Sequence, residues 1–150
     1  MRSWLVFSAM DLDRAYMFWF NDDDKPQVHG SAGLTRNYQP KPSFWAVAHL
    51  QQTLGDYRFS RKIIETPDAY VYEYERGQAA EGQASKIYAA WIPCGTDKTA
   101  EITFPIGQGK ISGAQRMPLI EGKAEAIEVK VADGKATATV SGAPIYISVQ

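Results

Sequence analysis

At Gly55 the apolar residues of this chain change their spacing, and that change limits the fold more than any other feature. Before it they recur at helical intervals or in one unbroken run; after it they alternate. Trp4-Leu5-x-Phe7 predicts a short helix over residues 2–10. Residues 15–20, Ala-Tyr-Met-Phe-Trp-Phe, form an apolar run bounded by charges, which suits a strand of a parallel sheet buried on both faces. Asn21 to Pro26 read as a loop, and Gly30, Gly33, Pro40 and Pro42 keep the chain irregular up to Ser43. Ser43 is the expected N-cap of a helix that carries Phe44, Val47, Leu50 and Leu54, with Gly55 as its left-handed C′ residue.

From Tyr57 onward the period is 2. Segments 57–65, 69–76, 86–93, 99–106, 111–120, 124–132 and 135–149 each read as a strand, and no helix is expected among them. Ile127, Val129 and Val131 alternate with Glu128 and Lys130, one face in and one out, and Asp133-Gly134 between two such runs marks a hairpin. The fold class expected is mainly β: an antiparallel sandwich of 7–8 strands over residues 56–150, preceded by an α/β segment over residues 1–55.

Charge and cysteine content exclude several functions. Lys and Arg number 16 against 17 Asp and Glu, so there is no electrostatic footprint for nucleic acid or an anionic membrane. Cys94 is the single cysteine, which excludes an internal disulfide or a cysteine zinc cluster; no metal and no cofactor is expected. No apolar run approaches the ~20 residues of a membrane span. The first residues, with Asp11, Asp13 and Arg14 close behind a short apolar patch, do not read as a signal peptide, and localisation stays open.

Few motifs carry chemistry. Gly107-Gln-Gly109-Lys110 lacks the spacing of a phosphate loop and reads as a β-turn. His29 and His49 stand in no metal-ligand spacing; His49 reads as a surface or packing residue, and Cys94 as a buried structural thiol. Asp22-Asp23-Asp24 lacks the pattern of a calcium loop and reads as a solvated turn, with a cation or sugar hydroxyls as the other reading. Trp19, near the end of the parallel strand, either belongs to a core or presents its indole to a sugar ring.

Four stretches together resemble a known family: Leu12-Asp-Arg-Ala-Tyr-Met-Phe-Trp-Phe-Asn-Asp22, Ser31-Ala-Gly-Leu-Thr35, Pro40-Lys-Pro-Ser-Phe-Trp-Ala-Val-Ala-His-Leu50 and Leu54-Gly-Asp-Tyr-x-Phe59. They are similar to the end of a clan-A glycoside hydrolase. There the eighth strand of a (β/α)8 barrel is followed by a loop ending in Gly-Leu, a Lys-Pro-Ser-aromatic start of the last helix, and then a β-sandwich. Tyr88-Ala-Ala-Trp91 and Ala143-Pro-Ile-Tyr-Ile147 resemble strands of that sandwich. Such enzymes use two glutamates, after strands four and seven, held ~5–5.5 Å apart in retaining members. On this mapping both precede Met1, and no residue here is expected to be catalytic; the eight glutamates all stand at Glu65 or later. By resemblance Trp19, or its neighbour Phe18, would floor a sugar subsite, with Asn21 and Asp22 as hydroxyl partners.

Three readings follow. The first is an accessory, stabilising sandwich of a glycoside hydrolase, inactive alone, whose partner is the missing barrel portion or a second copy of the chain. The second is a carbohydrate-binding module with Tyr70, Tyr72, Tyr74 or Trp91 as a stacking platform, since alternate residues share a strand face. The third is a purely structural or interaction domain. Burial of those tyrosines would favour the first or third.

Overall fold

The computed structural model describes residues 1–16, 20–22, 31–77, 83–95, 97–122 and 124–150. Two helices, α1 (Arg2–Ser8) and α2 (Pro42–Leu54), lie in the first third. Between them run three two-residue strands, β1 (Asn21–Asp22), β2 (Thr35–Arg36) and β3 (Gln39–Pro40), with β1 parallel to β2 and β3 antiparallel to it. Nine strands follow: β4 (Arg58–Glu65), β5 (Tyr70–Glu75), β6 (Lys86–Trp91), β7 (Thr99–Pro105), β8 (Ile111–Arg116), β9 (Glu125–Ala126), β10 (Lys130–Ala132), β11 (Lys135–Ser141) and β12 (Ile145–Val149). Among the described residues no helix follows Leu54, and none is long and apolar enough to cross a membrane.

The later strands form two antiparallel sheets, one of six strands in the order β4-β5-β6-β12-β8-β9 and one of three in the order β10-β11-β7. This is the mainly β, sandwich-type fold expected. The larger sheet is covered on both sides. Tyr72, Tyr74, Ile87, Ala89, Trp91 and Tyr146 face Leu5 of α1 and Ala46, Leu50 and Leu54 of α2. Val71, Tyr88, Ala90, Ile145, Ile147 and Val149 face Phe104, Ala136, Ala138 and Val140 of the smaller sheet. Double coverage explains why the central positions of β5 and β6 are all buried although their side chains point alternately to opposite faces. Packing across the strands is large against small: Ala89 stands between Tyr72 and Tyr146, and Ala90 between Val71 and Ile145.

Several expectations need correction. The helix of residues 2–10 ends at Ser8. Of the run 15–20, residues 17–19 lie outside the described residues; Tyr16 and Phe20 are 78% and 60% exposed and outside strands, and the parallel strand falls at Asn21–Asp22. Lys41, not Ser43, caps α2, because Pro42 takes the first helical position, where its missing N–H costs nothing. Gly55 keeps right-handed helical dihedrals, so it does not end α2 in the left-handed region. Segment 111–120 stops pairing at Arg116, and 124–132 divides into β9 and β10, leaving Val131 exposed on an edge. Segment 135–149 is two strands in different sheets, with the chain crossing at Gly142-Ala143-Pro144.

Candidate functional site

The residues that carry the sequence resemblance meet at one carboxylate. Phe20 C=O accepts from the N–H groups of Leu34 and Thr35, at 2.8 and 3.0 Å, which lays β1 beside β2. Asp22, fully buried in its side chain, then accepts at Oδ1 from Gly33 N–H (2.7 Å) and at Oδ2 from Lys41 Nζ (2.7 Å), with Arg36 Nε at 3.6 Å. Lys41 Nζ also donates to Ser31 C=O at 2.8 Å. Gly33 is required by distance: a Cβ there would stand 2.7 Å from Asp22 Oδ1 and 2.9 Å from Phe20 O. The Lys41 hydrogen bond, against the opposing effect of burial and helped by Gly33 and Arg36, holds the Asp22 carboxyl below its usual range.

Asn21 is engaged in the same way. Its Oδ1 accepts from Thr35 Oγ1 (2.9 Å) and Tyr38 N–H (2.8 Å), and its Nδ2 donates to Asp22 C=O (3.1 Å). The bond from Tyr38 N–H braces the two-residue turn Asn37-Tyr38, where both residues have positive φ, 50° and 59°. Both residues named as hydroxyl partners therefore spend their acceptors on the protein, and Asp22 is a buried clamp, not part of a solvated turn. Trp19 and Phe18, and likewise Asp23, Asp24 and His29, lie outside the described residues.

The tyrosine row is core. Tyr72, Tyr74 and Trp91 are buried and Tyr70 is half-buried, with ring centroids of Trp91 at 4.9 Å from Tyr72 and 5.3 Å from Tyr70. No stacking platform is open there. Cys94 is exposed, not buried, because it follows the end of β6 in a bend beyond the sheet. His49 is buried and packs against Tyr146, with ring centroids at 5.3 Å. Gly107 at φ 71° makes the turn expected of it. Among the described residues no three His, Cys, Asp or Glu side chains converge to hold a metal ion.

One buried acid escaped the sequence reading. Glu73 in β5 takes two hydrogen bonds from Arg61 (3.0 and 3.2 Å) and one from Tyr88 Oη (2.7 Å), with Lys86 Nζ at 3.7 Å. Burial pushes its pKa up, but Arg61, Tyr88 and Lys86 outweigh that and leave it below the ordinary value. The available signal was an acid at an inward position of Tyr-Val-Tyr-Glu-Tyr-Glu, in register with Val71. Every polar atom of that carboxylate is satisfied, so its chemistry is structural.

No protein-family model matches the chain, and no curated protein matches it. Among solved structures the chain is similar to a protein described as a family 39 glycoside hydrolase from the gut symbiont Bacteroides cellulosilyticus WH2, with a TM-score of 0.65 and 20% identity. The match covers 87% of this chain and 25% of that one, so the chain spans about a quarter of the hydrolase's length. The likeness is one of fold alone: the chain shares the fold of part of that glycoside hydrolase.

Proposed function

We propose that the chain is the C-terminal accessory part of a clan-A glycoside hydrolase, the last strand and helices of a (β/α)8 barrel with a β-sandwich that braces the barrel's flank. The observation that carries this reading is where apolar surface is left open. Of nine exposed large hydrophobic residues among those described, Phe7, Met10, Leu12, Tyr16, Phe20 and Tyr38 all fall in the barrel-like segment. The other three, Leu119, Ile120 and Val131, lie in the sandwich half. A segment of this kind leaves apolar side chains in water unless another body covers them. The fold likeness to a stretch of a glycoside hydrolase supports the same reading.

On this reading the occupant of that surface is the rest of the barrel. The buried clamp of Asp22, Gly33 and Lys41 fixes β1 beside β2, and by the sequence resemblance Trp19 is the sugar-stacking residue of the completed barrel. Asn21 and Asp22 act as positioning residues that hold β1 to β2 and to the turn at Tyr38. The acid/base and nucleophile come from the barrel, and this chain supplies neither.

The experiment is to read the DNA immediately upstream of the Met1 codon and to assay the chain on aryl glycosides. An in-frame barrel with one glutamate after its fourth strand and another after its seventh, together with no turnover by the chain alone, is expected. An unrelated upstream gene, or turnover abolished by changing one glutamate of this chain, overturns the reading. A stable dimer in which Phe7 and Leu12 are protected from solvent would assign the surface to a second copy instead.

A further inference from the structure

A two-residue hairpin with left-handed backbone at both positions favours glycine in second place, where a Cβ is strained. The turn Asp133-Gly134 between β10 and β11 follows that rule. Between β2 and β3 the second residue is Tyr38, at φ 59°. Nothing among the described residues covers its side chain: at 82% it is the most exposed of their large hydrophobic residues. The turn itself is held fast, because Asn21 Oδ1 accepts from Tyr38 N–H at 2.8 Å. A strained residue that displays an uncovered ring on a fixed support points to a contact outside this chain.

The strand register says where that contact lies. β2 runs parallel to β1, with Thr35 opposite Asn21 and Arg36 opposite Asp22, so the turn at Asn37-Tyr38 follows Asp22's partner in the direction in which β1 runs. On the barrel reading proposed above, that direction leads out of the carboxyl end of the last barrel strand. Substrates of (β/α)8 enzymes bind at that end, among the loops that follow the strands. Phe7, Met10, Leu12 and Tyr16 come earlier in the chain than the strand end, where the rest of the barrel packs; Tyr38 comes past it, at the rim of the mouth.

We propose that Tyr38 is a substrate-contacting residue of the completed enzyme, its ring stacking on a sugar unit at the rim, outside the reacting subsite. The inference rests on the barrel reading. A phenol ring offers a flat apolar face to the C–H groups of a pyranose and a hydroxyl to its O–H groups. Its side chain has few torsions to fix, so ordering it on a ligand costs little entropy. The substrate class is then an oligosaccharide, with a further unit to occupy the rim.

The test places one substitution in two proteins. In this chain Tyr38→Gly raises the urea midpoint, because strain is relieved and no contact is lost. In the full-length product of the upstream frame, the same substitution raises KM for a four-unit oligosaccharide about tenfold, the size of one stacking contact. That rise exceeds the rise for the one-unit aryl glycoside of the same sugar, and Tyr38→Phe restores most of the loss. A merely structural tyrosine would not give a more stable chain and a weaker grip on the longer substrate together. A lowered midpoint in the chain, equal KM changes for the two substrates, or no rescue by phenylalanine overturns the proposal while leaving the barrel reading in place. An upstream frame without a barrel overturns both.

Discussion

The two faces of the six-stranded sheet solve the same burial problem with different residues. Toward the helices β5 presents Tyr70, Tyr72 and Tyr74, with Trp91 and Tyr146 beside them. Their hydroxyls reach polar partners at the sheet's margin: Tyr72 Oη donates to Glu65 at 2.6 Å, and Tyr74 Oη pairs with Ser8 Oγ at 2.8 Å. Toward the smaller sheet the residues are short and apolar, Ala90, Ile145, Ile147 and Val149 against Ala136, Ala138 and Val140, with Phe104 and Tyr88 as the large side chains. Two sheets pack ~10 Å apart, which suits interlocking side chains of moderate size. Helices are round and leave deeper gaps over a flat sheet, and long rings with a polar tip fill those gaps without stranding a hydroxyl. What covers a sheet therefore dictates which side chains it carries.

The comparison breaks first at Trp91. Trp91→Ala is expected to cost ~3–5 kcal/mol by urea unfolding. Phe104→Ala on the opposite face should cost less than Trp91→Ala, since Phe104 lacks the Tyr70 and Tyr72 ring partners. Equal costs would mean that the aromatic face has no packing advantage. Next comes Glu73→Gln, at ~1–3 kcal/mol, because Tyr88 and Arg61 lose a charged acceptor on the otherwise apolar face. Arg61 is 62% exposed and resolvates, which keeps the loss below that of stranding a buried cation.

The same variant carries a pH signature. The folded-state pKa of Glu73 lies below its ordinary value, so the unfolded chain binds more protons as the pH falls through the carboxylate range. The wild-type urea midpoint should drop across that acid window, and the drop should be shallower in Glu73→Gln. Tyr74→Phe is a smaller test, ~1 kcal/mol, for the bond that ties α1 to β5 through Ser8. Smallest is His49: its pKa is lowered in the fold, so protonation favours the unfolded chain below about pH 6.5. Between pH 7 and 5.5 the wild-type midpoint should fall slightly, and that of His49→Leu should fall less, the remainder coming from the Met1 amino group, whose pKa burial also lowers.

How much of this was legible depended on distance along the chain. Asp133-Gly134 needed only local information: both residues have positive φ, 50° and 70°, and join β10 to β11 as a two-residue hairpin. The change at Gly55 was equally local. The split of 135–149 was not, because Ser141 and Ile145 both suit strands, and only the positions of the two sheets decide that the chain leaves one for the other at Pro144. His49 read as a surface or packing residue because its covering partner, Tyr146, is nearly a hundred residues away. The Asp22 clamp was half visible. Gly33 and Lys41 stood in the motifs, but that both serve one carboxylate emerges only when β1 and β2 are paired.

The place of β12 has a consequence for how the protein is made. It lies between β6 and β8, yet the ribosome delivers it after all five of its sheet-mates. Until then β6 and β8 have no common neighbour, and each offers an open row of amide and carbonyl groups to any passing strand. Translation proceeds at ~5–20 residues per second, so the nascent chain carries those two unpaired edges for seconds. Sealing by a late strand makes the sheet all-or-none: a ribosome that stalls before Ile145 releases two half-sheets and no partial core between them.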